Sequence, residues 1–156
     1  MRDNTDSSLS VSIKELLSVH VAYIDYKSKG EQGDLYDEIH ECFQRIQNWA
    51  LGLGLDPHIL LHVGIPIVRD GKLLSYECCV EMPAKVQSGL GDISIKELSG
   101  GRYAIVSIKK EPVIIGDSIG RFYQEYVPQN HIEIDSTRPT YEIYYENTME
   151  YCVPIL

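Results

Sequence analysis

No run of apolar residues in this chain is long enough to cross a bilayer. The longest, Ile59 to Val68, is interrupted by His62 and Pro66, whereas a spanning helix needs roughly 20 such residues. Positive charge is also scarce: 14 Lys and Arg stand against 23 Asp and Glu, a net charge of −9. A phosphate-backbone partner requires a Lys/Arg surface, so direct nucleic-acid binding is not expected, while attraction for cations is allowed. Residues 1–8 contain no apolar signal region, so a cytoplasmic location is expected. Cysteine is limited to Cys42, Cys78, Cys79 and Cys152. Their spacing fits no metal or redox motif, so they read as reduced, small apolar residues, and neither metal nor cofactor is expected. G-x-S-x-G and H-E-x-x-H are missing too. His40 and Cys42 fall on different faces of a predicted helix and make no nucleophile pair. His58 and His62 could share a strand face, but without further ligands at metal spacing they read as ordinary strand residues.

What is present is a globular chain of 156 residues, 44% hydrophobic and 24% charged. That length suits one domain, or two small halves sharing a core. Residues 1–10 are polar and patternless, and a disordered lead-in is expected there; a single domain follows over 11–156. Alternation over Val11–Leu16 and Val19–Ile24 predicts strand, and Lys27–Asp34 reads as a loop. From Leu35 the apolar period becomes helical: Leu35, Ile39, Cys42/Phe43, Ile46, Trp49/Ala50, Leu53. Asp34 suits the N-cap and Gly52/Gly54 the stop. His58–Val68 and Leu73–Met82 then read as a hairpin about Arg69-Asp70-Gly71-Lys72, with Pro83–Gly91 as connector.

The pattern then restarts. Ile93-Ser94-Ile95-Lys96-Glu97-Leu98 repeats Val11-Ser12-Ile13-Lys14-Glu15-Leu16 with a shift of 82 (96 − 14), which also pairs Ala22 with Ala104. Glu77-Cys78-Cys79-Val80 resembles Glu150-Tyr151-Cys152-Val153 at a shift of 73 (150 − 77). Between them a second helix is predicted over Ile114–Tyr126, weakened by Gly116 and Gly120. The expected fold is α+β: duplicated strand-helix-strand-strand halves, 11–82 and 93–155, with pseudo-twofold symmetry and a mainly antiparallel sheet with helices on one side. A groove between such halves is an expected ligand site.

Arg138 to Asn147 is the stretch richest in chemistry. Strand alternation puts Thr140, Glu142, Tyr144 and Glu146 on one face and Tyr141, Ile143 and Tyr145 on the other. Most strand carboxylates face water, but one held among aromatics needs a partner, and a cation from outside the protein would serve. Laying Val63-Gly64-Ile65-Pro66 on Tyr141-Glu142-Ile143-Tyr144 sets Gly64 opposite Glu142. One half thus offers a carboxylate where the other offers glycine and space. The 11 tyrosines against two phenylalanines suit a site with polar edges, although most are expected to serve half-buried sheet faces.

Several of these motifs together resemble the GyrI-like, or AraC-type effector-binding, small-molecule domain over residues 11–155. They are Tyr76-Glu77-Cys78-Cys79-Val80, Gly101-Arg102-Tyr103-Ala104-Ile105-Val106, Phe122-Tyr123-x-x-Tyr126-Val127-Pro128 and Arg138-Pro139-x-Tyr141-Glu142-x-Tyr144. The resemblance implies a pocket centred on Glu142 that takes small amphipathic, cationic aromatic ligands, with Tyr144, Trp49, Tyr126, Phe122 and Tyr36 as ligand contacts. Lys110-Glu111-Pro112-Val113 departs from the family's usual Gly-Pro-Tyr-like turn. Many members carry a DNA-binding domain N-terminal to this one. Ten lead-in residues are too few for it, so a standalone protein or a fragment of a regulator is expected, monomer or dimer. Two alternatives stand beside ligand binding. One is hydrolysis of electrophilic molecules, with Glu142 as base and Tyr144 as donor. The other is a docking inhibitor of a DNA topoisomerase, which the scattered acids do not favour.

Overall fold

A computed structural model describes residues 9–27 and 35–156. Most of the predicted lead-in, the glycine-containing loop and the Asp34 cap lie outside the described residues. The strands are β1 (Ser10–Leu16), β2 (Val19–Lys27), β3 (His62–Arg69), β4 (Lys72–Glu81), β5 (Ser94–Leu98), β6 (Gly101–Lys109), β7 (Tyr141–Tyr144) and β8 (Thr148–Pro154). The helices are α1 (Leu35–Gly52), α2 (Pro112–Arg121) and α3 (Val127–Gln129), with a π-helical turn, Phe122–Tyr126, joining the last two; Pro57–Ile59 is a 3-10 turn, so the strand expected from His58 starts at His62 instead. The chain forms two compact units: Leu17–Gly100, and β1 together with Gly101–Leu156.

In the Leu17–Gly100 unit the strands run β3-β4-β2-β5, every pair antiparallel. Helix α1 lies on β4 and β2 through the apolar stripe that the sequence predicts, burying Cys42, Phe43, Ile46 and Ala50. Asp37 and Glu38 in its first turn favour the positive end of the helix dipole. Asp70 and Gly71 both have positive φ, 54° and 75°. That geometry, which a two-residue Asp-Gly hairpin turn supplies, joins β3 to β4 at the predicted place. In the other unit the order is β1-β6-β8-β7, again antiparallel, with α2 on β6. Its helix-side core joins Ala104, Val106, Ile108, Phe122, Met149 and Val153.

Strand register bears out the internal repeat residue by residue. Ala22 pairs with Ile95 and Val80, and Ala104 pairs with Ile13 and Val153. The shifts of 82 and 73 are therefore both present in three dimensions. Cys78 faces Gly64, and Tyr151, its equivalent 73 residues on, faces Glu142. The Gly64–Glu142 correspondence follows. The repeat as read along the chain and the units as folded differ by one strand. β1 leads the first repeat but pairs with β6, and β5 leads the second but pairs with β2. The chain passes between units through two equivalent two-residue links, Leu17-Ser18 and Ser99-Gly100.

Candidate functional site

The register pairs Glu142 with Tyr151 and Tyr144 with Met149, placing all four on the sheet face that carries α2 and the π-helical turn. Tyr141 and Ile143 are buried on the opposite face, where the Tyr141 ring stacks on Tyr103 at 5.3 Å. The predicted alternation therefore holds. Tyr144 donates its hydroxyl hydrogen to Glu142 Oε1 at 2.8 Å. The Tyr123 and Tyr151 hydroxyls lie 3.0 Å apart, with their rings edge to face at 6.2 Å. Burial pushes the Tyr151 phenol well above its ordinary value, helped by the Tyr123 hydroxyl and then by the charge of Glu142. Tyr151 is thus neutral throughout the physiological range.

Helix geometry supplies the aromatic wall. The Val127 N–H bonds to Phe122 O, five residues back, and so widens one turn. That turn brings three aromatic residues to the sheet. Phe122 is fully buried, Tyr126 stacks on it at 5.6 Å, and Tyr123 meets it edge-on at 5.2 Å. Beyond β7, Lys110 donates to the Tyr145 carbonyl, and its Nζ lies 5.7 Å from the centre of the Tyr144 ring. What results is a carboxylate bonded to one phenol and opposite a second, whose hydroxyl meets a third, on the sheet face that packs a stacked aromatic pair. Such a surface can accept a cation electrostatically while offering ring faces to its apolar groups.

The model of the GyrI-like small molecule binding domain matches residues 9–155. The chain belongs to that family. No curated protein sequence matches it. Among solved structures, this GyrI-like chain is similar to the EcmrR C-terminal domain, with a TM-score of 0.72 at 12% identity over 95% of this chain and 98% of that one. It is also similar to SAV2435 bound to tetraphenylphosphonium (TM-score 0.59, 16% identity, 94% of each chain). A third is a hydrolase from Listeria innocua (TM-score 0.66, 10% identity, 94% and 91%). At these identities each likeness shows the shared fold.

Four of the six contacts expected from sequence, Glu142, Tyr144, Tyr126 and Phe122, come together in one unit of the GyrI-like fold. Phe122 is core and backs the exposed rings. Trp49 and Tyr36 stand on α1 in the other unit, Trp49 half-buried and Tyr36 79% exposed. Sequence reasoning missed Tyr123 and Tyr151. The shift of 73 could have found Tyr151, because it maps Cys78, the partner of Gly64, onto the partner of Glu142. The space expected at Gly64 is occupied: a side chain there would collide with the Tyr76 ring and hydroxyl. Among the described residues no three His, Cys, Asp or Glu side chains gather as metal ligands, and no helix is long and apolar enough to cross a membrane.

Proposed function

We propose that this GyrI-like domain binds a small amphipathic cation bearing aromatic groups, as a cytoplasmic effector- or drug-binding module without direct contact to nucleic acid. The observation that carries the reading is Glu142 on an aromatic sheet face with Tyr144 bonded to Oε1. Glu142 supplies the countercharge, and Tyr144, Tyr123, Tyr151 and Tyr126 supply ring faces and hydroxyl edges over Phe122. Each ring face adds about 0.5–2 kcal/mol of cation–π attraction, more where water is excluded. SAV2435, a fold neighbour, is bound to the lipophilic cation tetraphenylphosphonium, which supports the same ligand class here.

The test is calorimetric titration of tetraphenylphosphonium into the protein and into Glu142→Gln. This substitution keeps shape and removes charge. Affinity is expected to fall by roughly one to two decades, about 1–3 kcal/mol for a partly solvated pair. Neutral triphenylphosphine oxide should be nearly indifferent to the change. Equal cation affinity in the two proteins rejects the mechanism. The Tyr144–Glu142 hydroxyl–carboxylate bond and the Tyr123–Tyr151 hydroxyl pair also favour a second reading, acid–base hydrolysis of an electrophile. In that case Glu142→Gln would abolish turnover while substrate binding survived.

A further inference from the structure

Tyr103, buried at the start of β6, donates its hydroxyl hydrogen to Pro139 O at 3.2 Å, just before the strand that carries Glu142. Arg138 lies over the same ring at 4.9 Å. Its Nε donates to Asp135 Oδ2 at 2.8 Å. Its Nη2 donates to Ile155 O at 2.8 Å and to Arg102 O at 3.2 Å. Asp135 is itself fixed by the Thr137 N–H and hydroxyl, at 2.9 and 2.6 Å, and its own N–H bonds to Pro154 O. The guanidinium has room because residue 101 is glycine: a Cβ there would collide with Arg138 Nη1, and the φ of 122° also disfavours any side chain.

These contacts converge on one short element. β7 has only four residues, and its first, Tyr141, stacks on the ring that Arg138 covers. We infer that Arg138, seated in the gap left by Gly101, is a positioning residue that fixes the start of β7 and so holds Glu142 and Tyr144 in place. The inference rests on the ligand reading only for its functional meaning, since the geometry it describes is that of the free protein. A guanidinium suits the task because one rigid fork reaches a carboxylate and two carbonyls while stacking on a ring. A lysine ammonium offers the charge without the fork.

Amide hydrogen exchange in the free protein, run beside tetraphenylphosphonium titration, tests the idea. In Arg138→Gln, exchange at 141–144 is expected to accelerate about tenfold or more, with β2 and β4 amides unchanged. Cation affinity is expected to drop about tenfold with Glu142 still present. Arg138→Lys should not rescue either property. Gly101→Ala should reproduce both, because it evicts the guanidinium while leaving arginine in the chain. If Arg138→Gln does not fold, Asp135→Asn loosens the same anchor more gently and should show the same localised acceleration. Unchanged exchange at β7, equal acceleration across β6 and β8, or full rescue by lysine would overturn the inference. Absence of cation binding by the unaltered protein would overturn the ligand reading alone, since exchange at β7 is measured without ligand.

Discussion

Gly64 and Glu142 occupy equivalent positions of one repeated hairpin and do opposite things. At Gly64 the missing side chain lets Tyr76 lie across the strand and fill the face from within. At Glu142 the strand contributes its own carboxylate, and Met149, equivalent to Tyr76, is buried beside it. One duplicated scaffold thus keeps a self-filled copy and a chemically equipped one. Charge is managed just as locally at His20. Its Nδ1 meets Glu97 Oε1 at 2.8 Å and its Nε2 meets Val86 O at 2.7 Å. Both nitrogens can donate only in the imidazolium form, and the Val86 carbonyl, then Glu97, raise the His20 pKa above its ordinary 6.5. A folded value above the unfolded one means that the stabilisation is complete below the unfolded value and lost as pH rises through the folded one. Melting temperature measured upward from about pH 6 should therefore fall in the native protein, with the fall blunted in His20→Gln. An identical pH slope in both proteins would exclude this role.

Element by element, the sequence was legible where periodicity was clean. Helix α1 follows the apolar spacing from Leu35 to Ala50 and ends where the glycines at 52 and 54 place its stop, because one continuous apolar stripe meets one sheet face. The second helix was legible only in outline. Its α segment starts at Pro112, a favoured first position, and the helical path continues through Gln129. After Arg121 the π-helical turn shifts the phase, and Tyr123 there meets Tyr151 of β8 through ring and hydroxyl. The glycines of α2 offer a direct measurement. A Cβ built at Gly116 or at Gly120 meets nothing within 4 Å, so neither residue is needed for close approach. Gly116→Ala and Gly120→Ala should each stabilise the protein by about 0.5–1 kcal/mol in urea denaturation. A loss of stability would mean that α2 depends on these glycines for a bend or a partner.

At the scale of the whole molecule, the repeat could be read but the exchange of leading strands could not, and the cause is chemical identity. Residues 12–16 and 94–98 both read Ser-Ile-Lys-Glu-Leu, so either segment matches either neighbouring strand equally well. That ambiguity has a consequence during synthesis. β1 is made before every other described strand, yet its partner β6 arrives about 90 residues later, with Leu16 facing Gly101 and Ser10 facing Ser107. At roughly 5–20 residues per second the wait is several seconds or more. In the meantime β2 emerges with an edge that fits the shared five-residue sequence. In the finished fold Val19 faces Leu98; Leu16 in that place would close a tight hairpin through Leu17-Ser18. A nascent chain halted near residue 90, before β5 exists, should therefore hold β1 against β2, with β1 amides protected from exchange. Completion of the fold is then a strand displacement, β5 evicting its own copy and releasing β1 to await β6. Unprotected β1 amides in the halted chain would show that the first strand waits alone.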